Sequence, residues 1–279
     1  DLIIFLGASF NERTSYVWNK DLLHNKNIIQ IDKDDSQLEK VFKADIAINA
    51  DIKEALSGVL SIIKSKHPDI KNKKSTRPDI NYLKQETIES DSSIFQTRFQ
   101  LIEKFFAALE HSFPDNAVIF DDNIIFAQNF FSVSTRNRYH PNSGVSSLGH
   151  AIPAAIGARF SENKPTFAIL GDGGFQMCCM EIMTAVNYNI PLNIVLFNNA
   201  TMGLIRKNQF QQYNERFISC DFINPDFQAL AKSFGIHYIK IEKESDLDTL
   251  FTSIDCYNNI NLIEIPIDKN AFPNYISKR

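Results

Sequence analysis

Two almost uninterrupted apolar runs restrict what this chain can fold into. They read TFAILGD at 166–172 and LNIVLFNN at 192–199, with a helix-like segment between them. A strand that is apolar on both faces is typical of a parallel sheet that helices cover on each side. Strand-like and helix-like segments alternate along the rest of the chain, which also favours parallel pairing. The sequence therefore predicts an α/β fold built on a parallel sheet with helices on both faces.

The chain is 279 residues long, and its character changes once. Residues 1–66 alternate between strand-like and helix-like segments. Residues 67–93 are polar and charged with few apolar side chains, which indicates a linker over the surface. Residues 94–279 form a second α/β unit. We therefore expect a partial Rossmann-like unit, then a linker, then a larger domain.

Local patterns predict individual helices. Apolar residues at helical spacing favour helices at 35–42 and 52–66. In the segment NPDFQALAKSFG, we expect Asn224 to be the N-cap, Pro225 the first helical position and Gly235 the residue after the end. The first strand is followed by GASFNE, which lacks the GxGxxG spacing of a dinucleotide-binding loop.

Composition excludes several classes of protein. The formal net charge is −4 and the pI is near 5.9, so the chain carries no electrostatic signature of nucleic-acid binding. No apolar run approaches the roughly 18 residues of a membrane span. The four cysteines form no CxxC pair, and the adjacent Cys178 and Cys179 are expected to be small buried filler in a reducing cytoplasm. The chain begins at Asp1 without an initiator Met, so we expect a fragment or a processed product.

Polar residues stand where the two apolar runs end. Asp172 and Asn199 are 27 positions apart, and the carboxyl ends of neighbouring parallel strands meet at one sheet edge. A carboxylate, an amide oxygen and a loop carbonyl suit Mg²⁺, which phosphate oxygens and water would complete. Gly173 and Gly174 precede a helix whose N-terminus could hold a phosphate. A Gly-Asp-Gly turn and an Asn-Asn pair can also be plain turns, so the residues alone leave both interpretations open.

The motif GDGGFQ…NN resembles the diphosphate-binding signature of thiamine-diphosphate-dependent enzymes. Two neighbouring segments, SSLGHAIPAAIGA and NPDFQALAKSFGI, resemble the acetolactate synthase branch of that superfamily. The N-terminal part of the chain is similar to the second half of the central domain of the same enzymes. The resemblance implies the thiamine-diphosphate-binding fold at 94–279, preceded by part of a central domain.

The resemblance also assigns roles to residues. Asp172 and Asn199 would ligate Mg²⁺ through their side chains, and Thr201 through its backbone carbonyl. Leu148 would support the bent cofactor from below, and the Ser146 carbonyl would accept a hydrogen bond from its pyrimidine. Ordinary core packing of Leu148 and helix capping by Ser143 or Ser147 remain open. The full set implied to contact thiamine diphosphate is Ser146, Ser147, Leu148, Gly171, Asp172, Gly173, Gly174, Asn199, Thr201, Met202 and Gly203.

By resemblance, the activity is a lyase or transferase reaction on a 2-oxo acid such as pyruvate, with decarboxylation followed by carboligation. The family places its activating glutamate on an N-terminal pyrimidine-binding domain, usually from a partner subunit. This chain lacks that domain, so we expect no catalytic residue within it, no activity of the chain alone, and a homodimer or homotetramer. Glu181 follows the signature motif, and we expect it to be structural.

Three positions depart from the acetolactate synthase pattern. Asn208 stands where that branch typically carries a tryptophan near the substrate. The segment NIIFAQ at 123–128 lacks the Gln-His pair that contacts diphosphate. Ser9 replaces an arginine of the central domain, which argues against retained FAD. These departures leave open a 2-oxo acid decarboxylase, a carboligase with a keto-sugar or aldehyde acceptor, and a non-catalytic subunit that keeps the fold.

Three further polar residues are weaker candidates for substrate contact. His140 and His150 flank the start of the small-residue helix, and each could instead be a satisfied or surface histidine. Arg206 follows the Asn-Asn pair and could meet a substrate carboxylate or form a surface ion pair.

Overall fold

The structure is a computed structural model that describes residues 2–11, 14–15, 18–68, 99–131, 137–142 and 146–273. The chain divides into two compact units, one formed by residues 1–80 with 278–279 and the other by residues 81–277. The predicted linker at 67–93 lies outside the described residues except for its first two positions.

The smaller unit is a three-stranded parallel sheet in the order β1-β2-β3. The predicted helix at 52–66 is present, and the Asp51 side chain caps it by accepting from the N–H groups of Lys53 and Glu54. The elements of this unit are β1 (Leu2–Leu6), β2 (Asn27–Asp32), β3 (Ile46–Asn49) and α1 (Ile52–Lys66).

The predicted helix at 35–42 is wrong. Only Asp35–Gln37 form a short 3₁₀ turn. The buried side chain of Gln30 explains the difference, because its amide donates to the Gln37 carbonyl and accepts from the Glu39 N–H. Those two bonds hold the segment against β2 in place of the i to i−4 bonds that a helix needs.

The larger unit is a six-stranded sheet in the order β5-β4-β6-β7-β9-β8, and every pairing is parallel. Its strands are β4 (Val118–Asp121), β5 (Arg138–Pro141), β6 (Thr166–Gly171), β7 (Leu192–Asn198), β8 (His237–Lys240) and β9 (Ile260–Pro266). Its helices are α2 (Gln100–Ser112), α3 (Ile125–Phe130), α4 (Ala151–Arg159), α5 (Asp172–Cys178), α6 (Ile182–Asn187), α7 (Gly203–Gln212), α8 (Phe227–Phe234) and α9 (Leu250–Ser253).

Both faces of the central strands β6 and β7 are buried, as the apolar runs predict. Successive residues of β6 alternate between two cores, with Phe167 and Ile169 on one side and Ala168 and Leu170 on the other. The first core takes up many of the chain's 23 phenylalanines, which pack edge-on or tilted against one another. No helix among the described residues has the length and apolar content that crossing a membrane requires.

The start of α8 corrects the predicted cap. The N-cap is Asp226, whose carboxylate accepts from the Ala229 N–H, and the helix begins at Phe227. Asn224 is therefore not the cap, and its side chain bonds elsewhere. The end of the helix is as predicted, because Gly235 adopts the left-handed conformation with φ of 73°.

Candidate functional site

The carboxyl ends of β6 and β7 lie side by side, because the two strands pair in parallel up to Gly171 and Phe197. Asp172 opens α5 immediately after β6, and Asn199 follows β7. The structure therefore brings the two polar motifs to one sheet edge, as the sequence predicts. Both residues line a cavity of about 310 Å³.

The Asp172 carboxylate is the most highly bonded group of this cavity. The residue is 1% exposed. Its Oδ2 accepts from the N–H groups of Asn199 at 3.1 Å and Ala200 at 2.6 Å and from the Asn224 side chain at 2.8 Å, and its Oδ1 accepts from the Gly173 N–H at 2.9 Å. Burial raises the pKa of Asp172, and the hydrogen bonds from Asn224 and Ala200 act in the opposite direction.

The turn after β7 arranges Asn199 and Thr201. Ala200 has a positive φ of 52°, which turns the chain sharply. The Asn199 side-chain oxygen accepts from the Thr201 N–H at 3.3 Å, and the buried Thr201 hydroxyl donates to the Cys220 carbonyl at 2.8 Å. The turn therefore holds two of the predicted metal ligands, the Asn199 side chain and the Thr201 backbone, on the wall of the cavity.

At three glycines of the cavity wall, an added Cβ would collide with a neighbouring side chain. A Cβ on Gly173 would lie 2.5 Å from the Met202 sulfur, and a Cβ on Gly174 would lie 2.3 Å from the Asp122 Oδ2. A Cβ on Gly203 would lie 2.7 Å from the Asn199 side-chain nitrogen. The sequence predicts bare backbone here for a phosphate, and the structure adds that neighbouring side chains already occupy one side of each glycine.

Asp122 is a buried carboxylate that the sequence analysis missed. It follows β4, and it accepts from the N–H groups of Gly149, His150 and Ala151 at 2.8, 2.8 and 3.3 Å. It therefore caps α4, so Ser147 is not needed for that role; the alternative cap Ser143 lies outside the described residues. Asp122 follows a strand end just as Asp172 does, and the same strand-end rule applied to β4 would have found it.

Ten of the eleven residues predicted to contact the cofactor line the cavity. The exception is Ser147, which is exposed and whose hydroxyl donates to the Leu148 carbonyl at 3.5 Å. Ser146 has a positive φ of 55°, so the backbone turns as it enters the cavity wall. The ten lining residues are Ser146, Leu148, Gly171, Asp172, Gly173, Gly174, Asn199, Thr201, Met202 and Gly203.

The rest of the cavity wall is largely apolar, and sequence reasoning did not find it. Lys207 is the buried cation of this wall at 1% exposure, and burial lowers its pKa. It lies one helical turn after Gly203 on α7, so helical spacing was the available signal. The other unpredicted lining residues include Asn123, Ile124, Ile125, Phe126, Phe197, Leu204, Ile205, Ile267, Lys269, Ala271, Phe272 and Pro273.

Arg206 meets a carboxylate of this chain. Its guanidinium bonds both Asp221 oxygens at 2.8 and 3.0 Å, donates to the Asn270 side chain at 3.0 Å and lies over the Phe217 ring. Arg206 is only 6% exposed, whereas the Asp221 side chain is 41% exposed, so the ion pair is half-buried with its carboxylate at the surface. Arg206 and Asn208 both lie on α7.

His140 and His150, the two histidines considered for substrate contact, are both exposed. The His140 ring stacks on Phe120, and the backbone N–H of His150 donates to the Asp122 carboxylate. Glu181 is exposed and accepts from the Thr184 hydroxyl. In the segment NIIFAQ at 123–128, the Gln128 side chain donates to the side chains of Asp121 and Asn123.

Two protein-family models match the chain. Residues 122–265 match the model described as "Thiamine pyrophosphate enzyme, C-terminal TPP binding domain", and residues 1–59 match "Thiamine pyrophosphate enzyme, central domain". The first match begins at Asp122 and contains the Asp172 and Asn199 motifs. It covers more than half of the chain.

The curated relatives of the chain agree with the family models. A "Probable acetolactate synthase large subunit" of Methanococcus aeolicus is 29% identical over 97% of this chain and 48% of its own length. An "Acetolactate synthase large subunit" of Lactococcus lactis is 30% identical over 97% of this chain and 46% of its own length. The chain thus spans about half the length of the curated relatives it matches. With the sheet, the paired strand-end motifs and both family models in agreement, the chain belongs to the thiamine pyrophosphate enzyme family.

Proposed function

We propose that this chain binds thiamine diphosphate with Mg²⁺ in the cavity at the ends of β6 and β7, and that it serves an enzyme that decarboxylates a 2-oxo acid such as pyruvate and joins the product to a second carbonyl. The observation that carries the proposal is the meeting of Asp172 and Asn199 at one sheet edge inside that cavity. The printed names of the relatives support the acetolactate synthase type of reaction.

The donor set fits Mg²⁺. One carboxylate from Asp172, the Asn199 amide oxygen and the Thr201 carbonyl are hard oxygen ligands, and Mg²⁺ typically uses one or two carboxylates and completes its shell with phosphate and water. No group of three His, Cys, Asp or Glu residues that could hold a metal occurs within the described part of the chain. A metal centre with soft ligands, or one built from such side chains alone, therefore has no support within those residues.

The rest of the cavity fits the cofactor. Gly173 and Gly174 present backbone at the start of α5, where a diphosphate would lie. Leu148 and Ser146 line the wall, where the bent ring system would pack on the leucine and bond the serine carbonyl. Bound thiamine diphosphate supplies the electron sink for loss of CO₂ from a 2-oxo acid. The apolar wall formed by residues such as Phe126, Phe197 and Phe272 excludes water from that position.

Further parts of the active enzyme are proposed by family analogy. The activating glutamate is expected on a pyrimidine-binding domain distinct from the two matched domains, and residues 1–279 alone are expected to be inactive. The assembly is a homodimer or homotetramer, so light scattering should give at least twice the 31.8 kDa chain mass. A clean monomer at tens of micromolar would count against it. A reducing compartment such as the cytoplasm agrees with the four free cysteines.

One observation favours a second reaction. Asn208 on α7 takes the place of the tryptophan that acetolactate synthases carry near the substrate. This supports a 2-oxo acid decarboxylase, or a carboligase with a keto-sugar or aldehyde acceptor, on the same cofactor. A non-catalytic subunit is less well supported, because Asp172, Gly173 and Asn199 are all retained.

Product analysis distinguishes these functions. The chain is combined with its pyrimidine-binding domain, pyruvate, thiamine diphosphate and Mg²⁺. Acetolactate supports the synthase, and acetaldehyde supports the decarboxylase. If pyruvate yields neither product while the cofactor binds, the 2-oxo acid or acceptor must differ. If the cofactor does not bind either, the proposed function is wrong.

A further inference from the structure

A continuous chain of side-chain hydrogen bonds leads from β8 and β9 to the Asp172 carboxylate. It begins at Glu264 on β9, a carboxylate residue that is 6% exposed. One Glu264 oxygen accepts from the Tyr238 hydroxyl at 2.6 Å, and the other accepts from the Asn198 side-chain amide at 2.6 Å. Asn198 is the first asparagine of the Asn-Asn pair. Its side chain bonds Glu264 and Asn224, whereas the second asparagine, Asn199, lines the cavity.

Asn224 connects Asn198 to Asp172. Its side-chain nitrogen donates to the Asn198 Oδ1 at 2.7 Å and to the Asp172 Oδ2 at 2.8 Å. Its side-chain oxygen accepts from the Gln176 amide at 2.6 Å. Because both N–H groups and the oxygen are engaged, the orientation of this amide is determined by its partners.

These contacts distinguish the two oxygens of Asp172. Oδ2 accepts three hydrogen bonds, from Asn199, Ala200 and Asn224, which exceeds the two lone pairs of one carboxylate oxygen. Among the described residues, Oδ1 accepts one, from the Gly173 N–H. Oδ1 is therefore the oxygen with capacity left for a further ligand.

We propose that Asn224, held in place by Asn198 and Glu264, is a positioning residue that fixes the Asp172 carboxylate and leaves Oδ1 as the oxygen that would bind the metal. This inference rests on the proposed function. A carboxylate can rotate about its terminal torsion, and loss of the Asn224 hydrogen bond would remove one of the contacts that fix this torsion in Asp172. Residues that hydrogen-bond a metal ligand in this way typically change metal affinity by 10–100-fold when they are replaced.

A purely structural role makes a different prediction. The same contacts join the segment before α8 to the end of β7, so their loss could lower stability alone. In that case the Asn224 substitution would lower the melting temperature and leave the Mg²⁺ dissociation constant of the folded protein unchanged. Measuring the two quantities separately distinguishes the roles.

The test uses Asn224→Leu, which keeps the approximate volume and removes both donors. Mg²⁺ is titrated calorimetrically into the chain in the presence of excess thiamine diphosphate, and the melting temperature is measured without ligands. We expect the Mg²⁺ dissociation constant to rise at least about tenfold. The matched control is Asn258→Leu, because Asn258 also donates to an aspartate, Asp255, at 2.9 Å but is exposed. Asn258 precedes the amino end of β9, whereas the cavity lies at the carboxyl ends of the strands. The Mg²⁺ affinity of Asn258→Leu should therefore equal that of the unsubstituted chain.

A second variant covers the case in which Asn224→Leu fails to fold. Glu264→Leu acts at the far end of the hydrogen-bonded chain without touching Asp172, so any loss of Mg²⁺ affinity must pass through Asn198 and Asn224. A wild-type Mg²⁺ dissociation constant in folded Asn224→Leu, or in folded Glu264→Leu if only that variant folds, would overturn the inference while leaving the proposed function intact. Absence of Mg²⁺ binding by the unsubstituted chain would overturn both.

Discussion

Gly174 shows how little room the candidate site leaves for a side chain. An added Cβ would lie 2.3 Å from the Asp122 Oδ2, and that oxygen cannot retreat without losing its bond from the Gly149 N–H. We predict that Gly174→Ala lowers the free energy of unfolding by about 1–3 kcal/mol, the usual cost of overpacking. Urea denaturation measures the change.

Gly157 provides the matched control. It lies inside α4, and nothing approaches within 4 Å of its added Cβ. Alanine has a better helix propensity there, so Gly157→Ala should stabilise the chain by up to about 1 kcal/mol. If Gly174→Ala stabilised the chain to the same extent, the close packing of Gly174 on Asp122 would be contradicted.

At the residue scale, the sequence predicts the position of a residue when the path of the main chain alone determines it. Asp172 and Asn199 could be assigned to one sheet edge because each follows a strand. Asn224 could not, because it reaches Asp172 across 52 positions from the segment before another helix, and an asparagine before proline and aspartate looks like a cap. Arg206 was a candidate for substrate binding because a sequence does not reveal that Asp221 and Asn270 bind it.

At the scale of elements, Asp122 joins two parts of the candidate site. It caps α4 and packs against Gly174 of α5. We predict that Asp122→Ala costs about 2 kcal/mol of unfolding free energy, because three backbone N–H groups, that of Ala151 buried, lose their carboxylate acceptor. Asp226→Ala is the comparison, since it removes an exposed cap of α8 and should cost about 1 kcal/mol. Equal losses in chemical denaturation would contradict the special role of Asp122.

The central strands β6 and β7 were predictable because their apolar runs are buried on both faces. Strand β5 was not predicted, because its sequence RYHP is polar and largely exposed and reads as part of a loop. Residues 35–42 have apolar side chains at helical spacing but do not form a helix. The side chain of Gln30, on the neighbouring strand, binds the Gln37 carbonyl and the Glu39 N–H, which a helix would need for its own backbone hydrogen bonds. Tertiary contacts of this kind override local spacing and cannot be derived from the segment itself. The cavity wall contributed by 267–273 was missed for the same reason, because it is far along the chain from the motifs.

At the scale of the whole molecule, Asp121 should make stability depend on pH. Burial raises the pKa of Asp121 to about 6, against hydrogen bonds from the Ile124 N–H and the Tyr139 hydroxyl. The folded state then binds more protons than the unfolded state between about pH 4 and pH 6. Its protonated form therefore stabilises the fold at acid pH, and about 3 kcal/mol of that contribution is lost as the pH rises through 6.

Urea unfolding of the chain and of Asp121→Asn at a series of pH values isolates this contribution. Carboxylates with lowered pKa values, such as Asp246 and Asp255, contribute the opposite slope to both proteins. We therefore predict that the stability of the variant relative to the unsubstituted chain increases between about pH 4 and pH 6. A constant difference across that range would show that Asp121 titrates normally in the folded state.

The central claim is that Asp172 and Asn199 form a Mg²⁺-dependent thiamine diphosphate site within this chain. The most direct test is the melting temperature with thiamine diphosphate alone, with Mg²⁺ alone and with both, repeated for Asp172→Ala. A ligand that binds only the folded state adds about 2.7 kcal/mol at 100 times its dissociation constant. We predict a rise in melting temperature that requires both ligands and disappears in Asp172→Ala. A rise that persists in Asp172→Ala, or no rise with both ligands in the unsubstituted chain, would contradict the account.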